Sequence, residues 1–219
     1  MDKSINFNPN LIKYIFANTD KLHKVQKDLI EYNKSLGHIK KLQISVLQSN
    51  FLQFLVKLTK AQNCLEIGTF TGFSALSMAL SLPKNGKVLT IDKNHNTTDT
   101  AKSFFKKAGV EKKIITIVDI ALNRLKLLIK DKKNYDFILI DADKENYKKY
   151  FKYSLKLITR SGLIVVDNIL WKGDVSDLAK NSKILKKIRN FNKYIKKLDV
   201  NKYILPVGDG FTICWKKND

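Results

Sequence analysis

The feature that most narrows the fold is an alternation: short β-branched or apolar runs at residues 64–67, 87–91, 114–118, 136–140 and 163–166 are separated by longer segments with helical spacing. Runs that are apolar nearly throughout suit strands buried on both faces, and the segments between them are long enough to be helices. The pattern predicts a doubly wound α/β domain with a central, mostly parallel sheet. The first crossover, 71–82, closes at Pro83 with a turn at Asn85-Gly86, and the second, 97–108, closes at Gly109. Ahead of the sheet, residues 10–60 read as amphipathic helices, with Leu47, Phe51, Phe54, Leu55 and Leu58 along one face. Behind it, 177–197 reads as a basic helix, and 202–205 with 211–215 as an antiparallel hairpin around Gly208-Asp209-Gly210. No repeat or Pro-rich or Gly/Ser-rich linker divides the chain, so 1–219 reads as one domain.

Composition excludes several classes. Two Cys and nine Gly rule out disulfide and collagenous frameworks, and Cys64 and Cys214, both in expected strands, read as buried free thiols. The apolar runs fall far short of the roughly 18 residues of a membrane span. The polar start MDKSINFNPN carries no signal-peptide pattern, which makes the cytoplasm the expected compartment. Forty-one basic residues against twenty acidic ones leave +21, and a polyanion partner such as nucleic acid has to be considered. Only Arg124, Arg160 and Arg189 are arginines, however, and the lysines are spread over the whole length without forming one stripe. Arg is the usual choice for bidentate phosphate recognition, so the expectation is a solvated basic surface without a dedicated polyanion partner.

The chemistry-bearing residues stand at strand ends. The first strand runs into Glu66-Ile67-Gly68-Thr69-Phe70-Thr71-Gly72 and then a helix, a turn that brings backbone close to a ligand and aims free N–H groups at it. Its Glu-x-Gly-x-x-x-Gly spacing differs from the dinucleotide fingerprint, and an acidic residue before the glycine suits a cationic amine better than a phosphate. Asp92 ends the second strand, where a carboxylate can accept both hydroxyls of a ribose. An ordinary tight β-α turn is the competing reading of the glycine loop taken alone. Asp141 ends the fourth run, and Asp167 with Asn168 the fifth, so all of these fall on the carboxyl rim of the sheet. Two carboxylates and an amide oxygen form a hard donor set of the kind Mg²⁺ accepts, although each taken singly also suits a helix N-cap. Lys144 lies one turn from that set, placed to serve as a general base, with Asp143 as a possible ion-pair partner. His23, His38 and His95 show no metal-ligand spacing, Phe51, Phe54, Phe104 and Phe105 read as core or dimer packing, and Tyr147 with Phe151 as helix packing or acceptor pocket.

In order and spacing, LEIGTFTGFSAL, TIDKN, FILIDADKENY, LIVVDNILWKG and LPVGDG resemble the cation-dependent S-adenosylmethionine O-methyltransferases of the caffeoyl-CoA and catechol type, chiefly their small bacterial members, over about 11–217. The resemblance implies a class I methyltransferase fold. In it Glu66, Gly68, Thr69, Gly72 and Ser74 would hold the methionine part of S-adenosylmethionine, Asp92 its ribose and Ala121 its adenine. It also implies a divalent cation (Mg²⁺, or Mn²⁺ or Ca²⁺) on Asp141, Asp167 and Asn168, Asp141 facing the cofactor too, and Lys144 assisting deprotonation of the acceptor. Trp171 would wall the substrate, with Gln43 and Ser45 as second-line substrate residues, and about 1–60 would form a lid and dimer segment of a homodimer. The chain lacks room for the substrate-loop insertion of the plant coenzyme A enzymes, so a smaller catechol-like acceptor is expected; the alternative is a hydroxylated base in tRNA.

Overall fold

The computed structural model describes residues 7–216, so the start of the polar N-terminal stretch and Lys217 lie outside the described residues. Strands β1 (Asn63–Ile67), β2 (Lys87–Asp92), β3 (Ile114–Val118), β4 (Tyr135–Ile140), β5 (Ile158–Val166), β6 (Asn201–Leu205) and β7 (Phe211–Trp215) form one sheet in the order β3-β2-β1-β4-β5-β7-β6. The first five are parallel, and β7 runs antiparallel to both β5 and β6, as expected from the sequence. β5 starts earlier than expected, because a register shift lets Ile158 pair with Tyr135 before Leu163 meets Phe137.

Alternate residues of each strand face opposite sides, and each side has its own core. On one side Cys64, Val88, Phe137, Leu139 and Val165 pack under α2 (Lys24–Lys34), α3 (Val46–Leu58), α4 (Phe73–Ser81) and α5 (His95–Lys107). On the other, Leu65, Ile67, Ile138, Ile140 and Val166 pack under α6 (Ala121–Lys130), α7 (Tyr147–Leu157) and α8 (Lys183–Lys196). A first helix, α1 (Pro9–Ala17), buries none of its residues. Cys64 and Cys214 are buried free thiols, and burial pushes the Cys214 thiol up to about 12. No helix among the described residues is long and apolar enough to cross a membrane.

Three expectations change. The stripe read along α3 coincides with its buried face only in part: Leu55 is buried and Leu47 and Phe51 are half-buried, but Phe54 and Leu58 are 57% and 63% exposed, and Gln48, Ser49, Leu52 and Val56 are buried instead. The polar pair goes inside because it has partners there, Ser49 with the Ser77 hydroxyl at 2.7 Å and Gln48 with Asp167. The basic helix begins at Lys183 rather than 177, capped by Ser182. The segment before it is fixed by Arg189, whose guanidinium donates to the carbonyls of Asp174, Val175, Asp177 and Lys180. Finally, lysines that are spread along the chain are gathered by the fold, since α6, α7 and α8 share one layer and carry no acidic residue.

Candidate active site

The strand ends meet in one register row. Gly68 N donates to Ile91 O, Asp141 N to Ile67 O and Asp167 N to Ile140 O, at 2.9, 2.9 and 3.0 Å, so Gly68, Asp141 and Asp167 each stand one step past the last paired level of their strands, in the row of Asp92, the last residue of β2, which still pairs with Val118. The strand order reverses between β1 and β4, which places Gly68 and Asp141 at the switch point where open α/β sheets bind ligands. Gly68 has φ +99°, and a Cβ there would land on the Asp141 carbonyl oxygen. Gly72 (φ +86°) precedes α4, which has no side-chain N-cap, so the first amides of that helix are left for another acceptor.

Glu66 is fully buried on the α4 side of β1. Its Oε2 accepts from the Thr90 hydroxyl at 2.5 Å, and its Oε1 has no partner. Asp92 is tied to the glycine turn, its Oδ2 accepting from Thr69 N and Phe70 N at 2.8 and 2.9 Å and its Oδ1 from Asn94 N at 2.9 Å. Burial pushes the Glu66 carboxyl up to about 8, partly offset by the Ser74 and Thr90 hydroxyls, although Ser74 does not reach Oε1 in bonding geometry. The sign follows from proton counting. Between the ordinary 4.5 and about 8 the folded chain keeps a proton that the unfolded chain releases, so stability from this group is full below 4.5 and falls as pH rises. Urea unfolding of wild type and Glu66→Gln from about pH 5 to about pH 8 is expected to show the variant gaining relative stability with pH. A pH-independent difference would remove the raised carboxyl from the account.

Across the switch point Lys144 Nζ sits among oxygens: Asp141 Oδ1 at 3.2 Å, Asn168 Oδ1 at 2.6 Å, Ala142 O at 3.0 Å and the Tyr147 hydroxyl at 2.5 Å. Its ion-pair partner is thus Asp141, while Asp143 is held by Asn146 and the Tyr150 hydroxyl. Asn168 adopts φ +57°, and this left-handed turn at the end of β5 accompanies the approach of its amide oxygen to Lys144. Asp167 is 1% exposed, and its Oδ1 accepts from Asn168 N at 2.5 Å and Gln48 Nε2 at 2.6 Å. Burial beside the Asp141 carboxylate pushes the Asp167 carboxyl well above the ordinary range, a cost that a cation would relieve. Among the described residues no three His, Cys, Asp or Glu side chains are placed to hold a metal; this set is two carboxylates and an amide with an ammonium already between two of them. That chemistry fits a hard cation.

Tyr147 and Gln48 complete the set. Burial and the nearby carboxylates of Asp141 and Asp167 raise the Tyr147 hydroxyl, so it keeps its proton and donates to Asp167 O at 3.1 Å, while Phe151 packs edge-on against Phe191 in the core. Gln48 was missed from sequence; its signal is the spacing of three from Ser45, that of a capping box at the start of α3. A Ser45 capping box fixes it, Ser45 N donating to Gln48 Oε1 at 3.0 Å. Gln48→Ala is expected to cost about 1–3 kcal/mol by leaving a buried acceptor short of a donor, or roughly 2–4 °C in Tm per kcal/mol. Calorimetry showing an unchanged Tm would mean the bond contributes nothing. Ser45 itself is exposed and acts as that cap, and Gln43 Oε1 accepts from Asn33 at 2.7 Å, so both spend their side chains inside the N-terminal segment. Ala121 opens α6 half-buried, and Trp171 is half-buried in a left-handed turn with Lys172 just past Asn168.

Residues 17–217 match the family model described as O-methyltransferase. The caffeoyl-CoA O-methyltransferase of Medicago sativa is 40% identical over 76% of this chain and 72% of its own length. Among solved structures, the O-methyltransferase TomG from Streptomyces achromogenes, involved in tomaymycin synthesis and bound to SAM, superimposes with a TM-score of 0.86 at 26% identity over 95% of this chain and 96% of that one. The O-methyltransferase from Bacillus cereus in complex with SAH gives a TM-score of 0.84 at 28% identity over 94% and 97%.

Proposed function

The chain belongs to the O-methyltransferase family and is a SAM-dependent O-methyltransferase of the caffeoyl-CoA type, and on that premise we propose that it methylates one hydroxyl of a catechol-like small molecule with the help of a divalent cation such as Mg²⁺. The observation that carries the cation reading is the Lys144 ammonium lodged between Asp141 and Asn168, beside the buried Asp167. Asp141, Asp167 and Asn168 would hold the ion, which when bound supplies Lewis acidity and a chelating centre for two adjacent acceptor oxygens.

The protein's own residues do the rest. Glu66, with one carboxylate oxygen unpartnered, and Ser74 face the methionine end of the cofactor; Gly68, Thr69 and Gly72 let its backbone approach; Asp92 takes the ribose and Ala121 the adenine. Lys144, whose Nζ bonds the Tyr147 hydroxyl, assists deprotonation of the acceptor: it first releases a proton to solvent and as the neutral amine takes the acceptor proton as the oxygen attacks the sulfonium methyl and the sulfur leaves as a thioether. Trp171 limits the acceptor to a flat ring. Catalysis in this scheme is mainly alignment of oxygen, methyl and sulfur. Methyl transfer from labelled SAM to a panel of catechols, with Mg²⁺ and with EDTA, tests it: labelling that needs the metal is expected, and equal labelling in EDTA would end the cation reading.

A further inference from the structure

Thirteen of the 35 residues in α6, α7 and α8 are Lys or Arg and none is Asp or Glu. At the chain's ratio of 41 to 20, thirteen charged residues would include about four acidic ones (13 × 20/61). The opposite layer obeys the ratio, with seven basic and three acidic residues in α2, α3 and α5. A bias in overall composition acts on both layers alike, so it does not account for the asymmetry. Most of these lysines are exposed, and Lys148 reaches from α7 over the Tyr194 ring of α8 at 5.9 Å, making the two helices one continuous surface. Near the rim, Glu145 just before α7 pairs with Lys187, but the helices themselves supply no acid.

We propose that the α6–α7–α8 face docks the phosphate backbone of a nucleic-acid duplex, separately from the methyl-transfer site. The composition of the face selects that partner. Protein interfaces are depleted in Lys and centred on apolar and aromatic anchors, and here Tyr150, Phe151, Leu185, Ile188 and Phe191 all point into the core. A membrane-surface helix needs a continuous exposed apolar side to insert, and these helices turn theirs to the sheet, leaving of their large apolar residues only Leu127 and Ile184 exposed. Lysines suit sequence-independent contact with phosphates, and of the two arginines on these helices Arg189 is consumed by backbone carbonyls and Arg124 is half-buried with its Nε out of solvent. Fourteen residues of α8 run about 21 Å, a length over which a duplex presents roughly a dozen phosphates.

The test uses the full chain and a labelled 20-base-pair RNA duplex of mixed sequence, with anisotropy read over a salt series. The triple variant Lys149→Glu, Lys152→Glu, Lys193→Glu is compared with Lys27→Glu, Lys57→Glu, Lys106→Glu on the opposite layer, which changes net charge equally; all six lysines are exposed. Affinity is expected to fall at least about tenfold in the first variant and less than about threefold in the second, with the salt slope reduced by about three in the first alone. Circular dichroism and methyl transfer to the small acceptor confirm that both variants remain folded. Equal weakening in both, or no duplex binding at low salt, overturns the proposal. Binding to phosphatidylserine vesicles through these lysines without duplex binding also overturns it, assigning the face to lipid instead.

Discussion

Asp141→Ala is expected to lower kcat/KM for methyl transfer by about 10³-fold, the loss typical when a charged group aimed at the reacting atoms is removed. Asp141 stands one residue past the paired end of β4, touches Lys144, and has its backbone pressed against Gly68. Its removal takes one of two carboxylates from the proposed cation set and the counter-charge from Lys144 at once. Labelled-methyl assays over a Mg²⁺ titration, together with Mn²⁺ binding followed by electron paramagnetic resonance, separate the two losses. Activity within about tenfold of wild type would place Asp141 outside the machinery, because such a residue makes no contact that strengthens in the transition state.

Gly68→Ala is expected to abolish cofactor binding and lower Tm by about 10 °C. The added methyl would coincide with the Asp141 carbonyl oxygen, so the ends of β1 and β4 would have to separate, and φ +99° is closed to an L-residue without strain. Overpacking of about 1–3 kcal/mol and backbone strain of similar size act together, at roughly 2–4 °C per kcal/mol for a chain of this length. Calorimetry gives the stability term and equilibrium dialysis of SAM the binding term. A variant that binds SAM normally would mean the turn is far softer than its packing indicates.

The sheet was legible because a residue needs only its neighbours to declare a buried strand. Alternation of apolar runs and crossovers gave the first five strands to within a few residues, and the Gly208-Asp209-Gly210 turn gave the closing pair. Strand ends were legible for the same reason, and in a parallel sheet they must share one rim, which is why Asp92, Asp141, Asp167 and Asn168 could be grouped from the sequence. The face of α3 was not. Apolar spacing favoured Leu47, Phe51, Phe54, Leu55 and Leu58, of which only Leu55 is buried, and burial of Gln48 and Ser49 depended on Asp167 and Ser77, 119 and 28 residues away.

By itself, then, the sequence determined the doubly wound sheet, the glycine turn and the identity of the acidic rim, since all follow from local patterning and one topological rule. Tertiary structure alone decided that Lys144 pairs with Asp141 rather than Asp143, that Gln48 supports Asp167 and that Tyr147 belongs to the site. It also decided that the basic residues of α6, α7 and α8, spread over 121–196, form one face. The reason is common to all four: partner choice for a polar or charged side chain is set by distance in space, and periodicity along the chain carries no information about which distant residues the fold brings near.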